Sequence, residues 1–451
     1  MRPWRAALHF SPAVWRGAKS QCRHPRPRGC WIKSATAARR AALEILRAVR
    51  AGAPLTDARD RHLSGLAERD RRLAYELSAG VLRRQRQLDR TLDLTHADPR
   101  LHDVLRLGAY QLRWLSRVPS HAAVSTSVEL ARETVGEAST GYVNRMLRQV
   151  HRDAGGGMRD TSTTHPEWLV KRWTARFGPD EARKLVAWND KRPPLVLQPA
   201  RWTREMLQKA FREADVEVER AAFDAGLEVR TAHPAGLPGY SEGAFIVQDP
   251  AHALIARYAA VPAGEQVYDA CAAPGGKAVS LEAAGARVIA GDNRHERLGR
   301  LAGTVRRAGV AIRCVGANLE AAPIRPASVA AVLIDAPCSA TGTMRRHPDA
   351  RWRLKPTTFA RAAVRQARLL AAAATLVRPG GLLIYATCSL EPEENEDVVE
   401  SFLTRHPAFR REPSSRVPTG LLTPVGDFQS LPQRHGIDGA YAARLVRASD
   451  C

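Results

Sequence analysis

Two stretches carry residues whose types and spacing suit a nucleoside cofactor. "DACAAPGGK" (Asp269 to Lys277) is a turn between an apolar run and a helical pattern. Gly275 and Gly276 let the backbone come close to a ligand there, and the helix start offers free amides. The next apolar run, "ARVIAGD", ends in Asp292, about twenty residues on, where a carboxylate accepts both hydroxyls of a ribose. A nicotinamide dinucleotide and S-adenosylmethionine both satisfy that spacing. The departure from GxGxxG counts against the dinucleotide, and methyl transfer better suits the thiols further along the chain.

Two cysteines stand where apolar runs end. "VLIDAPCSATGTMRRHPD" places Asp335, Pro337 and Cys338 after one run, and "GLLIYATCSLEPEEN" places Thr387 and Cys388 after another. One such thiol is ordinarily inert packing, but a pair beside polar and charged residues suggests chemistry. The C5 carbon of cytosine is too weak a nucleophile to take a methyl group from a sulfonium. A thiolate added at C6 turns the ring into an enamine whose C5 attacks, and loss of the C5 proton then expels the sulfur. A second thiol would help that adduct collapse.

The elements that must position these residues are legible in the rhythm of the chain. Beyond Gln248, the runs "EQVYDA", "ARVIAGD", "IRCVGAN", "VAAVLIDAP" and "GLLIYAT" alternate with helical patterns. Such alternation predicts a parallel α/β sheet of Rossmann type, with ligands at the carboxyl ends of the strands. Ahead of it, an all-α domain is expected from apolar residues at helical spacing, such as Leu43, Leu46 and Val49, then Leu73, Leu77 and Val81. Its arginine-rich surface, as in "RRQRQLDR", reads either as solvated helix or as an RNA contact. The expected divisions are a basic extension outside the fold over 1–34, the helical domain over 35–152, a linker over 153–165, a small α+β domain over 166–245, and the sheet domain over 246–451.

A net charge of +23 in 451 residues points to a polyanionic partner, although part of the arginine bias fits base composition alone. Seven scattered cysteines without a CxxC pair point to a reduced, cytoplasmic protein with no metal site. No apolar run has the length of a membrane span.

The three motifs "DACAAPGGK", "DAPCSATGTMRRHPD" and "YATCSLEPEEN" resemble, nearly letter for letter, the signatures of the Sun (Fmu, RsmB) family of bacterial 16S rRNA cytosine-5 methyltransferases. The resemblance runs from about residue 35 onward and implies a NusB-like helical domain, a small intermediate domain and a class I methyltransferase domain. It implies S-adenosylmethionine as cofactor, held by Cys271, Ala272, Ala273, Pro274, Gly275, Gly276, Lys277, Asp292 and Asp335. Asn318 stands where the family usually has an aspartate near the adenine. Cys388 corresponds to the nucleophile and Cys338 to the cysteine of product release. DNA cytosine methyltransferases use a Pro-Cys thiol as nucleophile instead, so the residues alone do not rank the two.

Arg345, Arg346 and His347 are expected to hold phosphates flanking a flipped base. 16S rRNA is the implied partner, and a monomer without metal or membrane is expected. The alternative from another class is a non-catalytic NusB-like RNA-binding factor, against which three intact motifs argue.

Overall fold

The computed structural model describes residues 28–153, 164–230 and 234–449. The first 27 residues of the basic extension and most of the expected linker therefore lie outside the described residues.

Apolar positions three and four apart produce the helices Arg28–Arg50, Leu55–Leu63, Glu68–Leu92, His102–Trp114, Ser120–Thr134 and Thr140–Arg152. The first begins ahead of the boundary at residue 35. Leu43, Leu46 and Val49 meet Leu77 and Val81 in one core, whereas Leu73 on the same stripe is only partly buried. A Cβ at Gly80 would lie 2.0 Å from the Tyr110 ring, so two of these helices approach closely only because that position is glycine.

The intermediate region contains β1 (Leu195–Pro199), β2 (Val218–Arg220), β3 (Leu227–Val229) and β4 (Phe245–Val247), in the order β2-β3-β1-β4. Every pair is antiparallel. The helix Arg204–Glu213 buries Leu207 and Phe211 against Leu197, Leu227 and Phe245. The helices Glu167–Phe177 and Pro179–Asn189 pack elsewhere. Their Leu169, Trp173 and Leu185 share a core with Met344, Phe359, Leu390 and Leu431 of the sheet domain.

That domain is built on β5 (Gln266–Ala270), β6 (Arg287–Asp292), β7 (Arg313–Gly316), β8 (Val329–Asp335), β9 (Val377–Thr387), β10 (Phe409–Arg411), β11 (Phe428–Ser430) and β12 (Ala440–Arg447). The order is β10-β12-β9-β8-β5-β6-β7, with β11 also on β12. Pairs among β5 to β9 are parallel, as expected. The sheet as a whole is mixed, because β12 runs antiparallel to β9, and β10 and β11 run antiparallel to β12. Pairing direction is set by the connections between strands, not by their residue types.

Successive residues of the central strands enter opposite cores. Val267, Ala331, Leu333 and Ile384 face one, while Tyr268, Val332, Ile334 and Leu383 face the other. Burial on both faces explains the unbroken apolar runs. The chain crosses from the β6 side of β5 to the β8 side, which places a crevice beyond the carboxyl ends of these strands.

Candidate active site

At the end of β5 the chain turns sharply through Cys271, whose φ is 71°, into the loop Cys271 to Lys277. Ala272 N–H donates to Gly291 O at 2.8 Å, and Gly275 N–H to Ala272 O at 2.8 Å. Gly275, at φ 107°, then opens the helix Gly276–Ala283, a left-handed position that suits glycine. Arg297 braces the loop by donating to Ala273 O at 2.8 Å.

Burial pushes the Cys271 thiol up to about 12, with the nearby Asp292 adding to it, which keeps this sulfur protonated. Cys271 borders a cavity of about 130 Å³ that is also lined by Tyr268, Asp292, Asn318 and Pro337.

Two acids near this cavity carry oxygens without partners. Asp292 Oδ1 accepts from Arg294 N–H at 3.0 Å. Its buried Oδ2 has no hydrogen-bond partner and sees Arg297 Nε only at 3.4 Å. Asp269 is fully buried with both oxygens unpartnered. Burial, then the Asp335 charge, pushes it up to about 8. Buried acceptors without donors are costly, and a ligand carrying a vicinal diol and an ammonium would supply donors. The residues therefore fit a nucleoside with an amino-acid arm. Asn318 Oδ1 caps the following turn by accepting from Glu320 N–H at 3.3 Å.

Lys277 Nζ donates to Asp335 Oδ2 at 2.6 Å and to His252 Nδ1 at 2.8 Å. His252 must therefore be neutral, and burial, with Lys277 beside it, takes it down to about 4. Burial works against the Asp335 charge, but Lys277, by charge and hydrogen bond, outweighs it and holds the carboxyl below its ordinary value. His252 carries no signal in the sequence. It lies in "QDPAHALIA", which resembles an ordinary helix start.

The two cysteines are neighbours. β8 and β9 are paired in parallel, Asp335 opposite Ala386, so the residues just beyond them converge, and Cys338 Sγ lies 3.1 Å from Cys388 Sγ. The Cys388 contact, then burial and the charge of Glu394, push the Cys338 thiol well above its ordinary value. Both side chains are partly accessible. Among the described residues no cluster of three or more His, Cys, Asp or Glu side chains could hold a metal, and no helix is long and apolar enough to cross a membrane.

The three residues expected at the phosphates have partners within the protein. Arg346 donates to Asp438 and Asp249, each at 2.7 Å, and to Pro194 O at 3.1 Å. Its guanidinium is consumed by two buried carboxylates. Arg345 lies 4.1 Å over the Trp188 ring and donates to Arg192 O at 2.8 Å. Burial lowers the His347 ring, which favours its neutral form.

A cleft of about 970 Å³ opens between the helical and sheet domains, where Arg59, Arg71 and Tyr75 face Pro274, Arg294 and Arg297. Arg294 is exposed. None of these arginines stands out in a chain where arginine is everywhere.

Family models match the chain in three blocks: the NusB family over residues 36–152, a Methyltr_RsmF/B-like, ferredoxin-like domain over 165–235, and 16S rRNA methyltransferase RsmB/F over 258–446. The probable ribosomal RNA small subunit methyltransferase B of Synechocystis sp. is 35% identical over 449 residues, 91% of this chain and 99% of the relative. Ribosomal RNA small subunit methyltransferase B of Erwinia tasmaniensis is 34% identical over 432 residues, 90% and 97% of the two chains. The crystal structure of PH0851 has a TM-score of 0.76 at 25% identity, covering 91% of this chain and 98% of that one. NSun6 from Pyrococcus horikoshii with SFG shares the fold, with a TM-score of 0.57 at 18% identity over 63% of this chain and 99% of its own.

Proposed function

The chain belongs to the RsmB/F family of 16S rRNA methyltransferases, and from that membership we propose that it methylates C5 of a cytosine in 16S rRNA, with S-adenosylmethionine as donor and Cys388 as nucleophile. The observation that carries this reading is a pair of sulfurs 3.1 Å apart, that of Cys338 directly after Pro337 of a cavity that Asp292, with its unpartnered Oδ2, also lines.

When bound, S-adenosylmethionine supplies an electrophilic methyl group on a sulfonium. Asp292 Oδ2 would take the ribose hydroxyls, the amides opening the helix Gly276–Ala283 the carboxylate, and Asp269 or Asp335 the ammonium. Asn318 would meet the adenine edge with an amide in place of a charge.

Cys388, having lost its proton, adds through Sγ to C6. The C5–C6 electrons become available at C5 for the incoming methyl group. Loss of the C5 proton restores the ring and releases the Cys388 thiolate. Cys338 has the release role: its thiol passes a proton to the departing Cys388 sulfur, and the Cys338 sulfur so freed takes the C5 proton. The target base must leave its stack to reach them. The interdomain cleft, with Arg71 and exposed Arg294 on opposite walls, would carry the flanking strand.

Transfer of labelled methyl groups to 16S rRNA, followed by bisulfite sequencing, tests the reading. The expected outcome is protection of one cytosine by the wild-type chain and none by Cys388→Ala, with donor binding unchanged by calorimetry. Retained turnover in that variant, or label on another base, would sink the assignment.

A further inference from the structure

Cys338 and Cys388 are each followed by a serine, and both serines meet one carboxylate. Glu394 is fully buried. Its Oε1 accepts from Ser339 N–H at 2.9 Å and from Gln366 Nε2 at 3.1 Å. Its Oε2 accepts from the Ser339 and Ser389 hydroxyls, whose oxygens are 3.2 Å apart. Gln366 Nε2 also donates to Pro337 O at 3.1 Å, just before Cys338. On the backbone side, Glu394 O accepts from the Tyr385 hydroxyl of β9 at 2.6 Å. The neighbouring Asn395 accepts from Thr387 Oγ1 at 2.6 Å and donates to Ser389 O at 3.0 Å.

A buried acid near a helix start ordinarily satisfies local groups, and that accounts for Ser389. It does not account for Ser339, which is 55 positions away in sequence and bound through both its amide and its hydroxyl. A carboxylate accepting on both oxygens joins the turn leaving β8 to the turn leaving β9 here, alongside Thr341 Oγ1, which accepts from Leu390 N–H at 2.8 Å.

We infer that Glu394 is a positioning residue that locks the two Cys-Ser turns together, so that both sulfurs address a single pyrimidine ring. The inference rests on the proposed role of the cysteine pair. Its charge has a second effect, because it adds to the sulfur contact and to burial in keeping Cys338 protonated.

Two substitutions separate shape from charge. Glu394→Gln keeps the shape, since its oxygen can replace Oε1 and its NH₂ can donate to the two serine oxygens. Glu394→Ala removes the lock. In the full-length chain, Glu394→Ala is expected to lower kcat about a hundredfold, the scale of a small misplacement of reacting groups. KM for rRNA should stay within about threefold. Glu394→Gln is expected to retain kcat within about tenfold, because the geometry survives. Iodoacetamide labelling of Cys338, followed by peptide mass spectrometry on the protein alone, should move to lower pH in Glu394→Gln.

If Glu394→Ala does not fold, Ser339→Ala combined with Ser389→Ala takes its place with the same expected loss of kcat. Wild-type kcat in the unlocked variants, or an unmoved Cys338 profile in Glu394→Gln, overturns the inference. The labelling arm needs neither RNA nor cofactor. It therefore judges Glu394 even if the wild-type chain proves to methylate something other than cytosine.

Discussion

At the scale of single residues, sequence alone cannot rank the two thiols, because either a Pro-Cys or a Thr-Cys turn can present a nucleophile. Their surroundings differ. The sulfur contact is shared by both, but the charge of Glu394 favours the protonated form of Cys338, and a thiol that holds its proton is a poor nucleophile. Its removal should stall the reaction late. Cys338→Ala is expected to accumulate a protein–rRNA adduct that survives denaturing electrophoresis, and Cys338→Ala with Cys388→Ala should show none. Absence of a band in the single variant, together with normal turnover, would remove Cys338 from product release.

Elements explain what the sequence reveals and what it hides. Strands β5, β6, β8 and β9 are legible because burial on both faces makes them continuous apolar runs rich in Val, Ile and Leu, and with them come the loop, Asp292, Asp335 and both cysteines. Strands β2 and β3 span three residues each, too short for a period to show. The antiparallel edge stays hidden because direction is a property of connections.

The role of Arg346 is hidden for another reason, since its partners Asp249 and Asp438 lie 97 and 92 positions away. Arg346 joins the cap of the helix Pro250–Ala259 to the turn before β12. Its loss leaves two buried carboxylates without their cation, which costs about 3–5 kcal/mol for a buried pair. Arg346→Ala is therefore expected to lower the melting temperature sharply in calorimetry, while the salt dependence of rRNA binding keeps its slope. A flattened slope with an unchanged melt would restore Arg346 to the phosphate contacts.

Across the whole molecule, the segment from Arg345 to Trp352 lies where the three domains meet. Arg351 is fully buried and donates to Arg83 O at 3.3 Å in the helical domain and to Asp190 Oδ1 and Asn189 O at 3.2 Å each. Trp352 Nε1 donates to Leu82 O at 2.6 Å, and Leu55 N–H to Asp349 Oδ2 at 3.2 Å. Arg300 adds ion pairs to Asp57 and Asp60 across the cleft. Burial lowers Arg351 to about 10, so it remains a cation at neutral pH, where Asp190 is its ionic partner.

The cleft between the helical and sheet domains therefore depends on contacts made just beyond the Cys338 motif, which ties the frame for the RNA strand to the loop bearing one thiol. Arg351→Met keeps most of the volume but leaves Asp190 with Arg84 as its remaining cation and removes the donor to the carbonyls of Arg83, Asn189 and Met344, a loss of about 1–3 kcal/mol concentrated at the junction. The expected signature is an early melting transition and weaker rRNA binding in filter titrations, with donor binding by the sheet domain intact. Equal losses of rRNA and donor binding would instead mean that the arginine supports the sheet domain itself, and that the domains are not held in register through it.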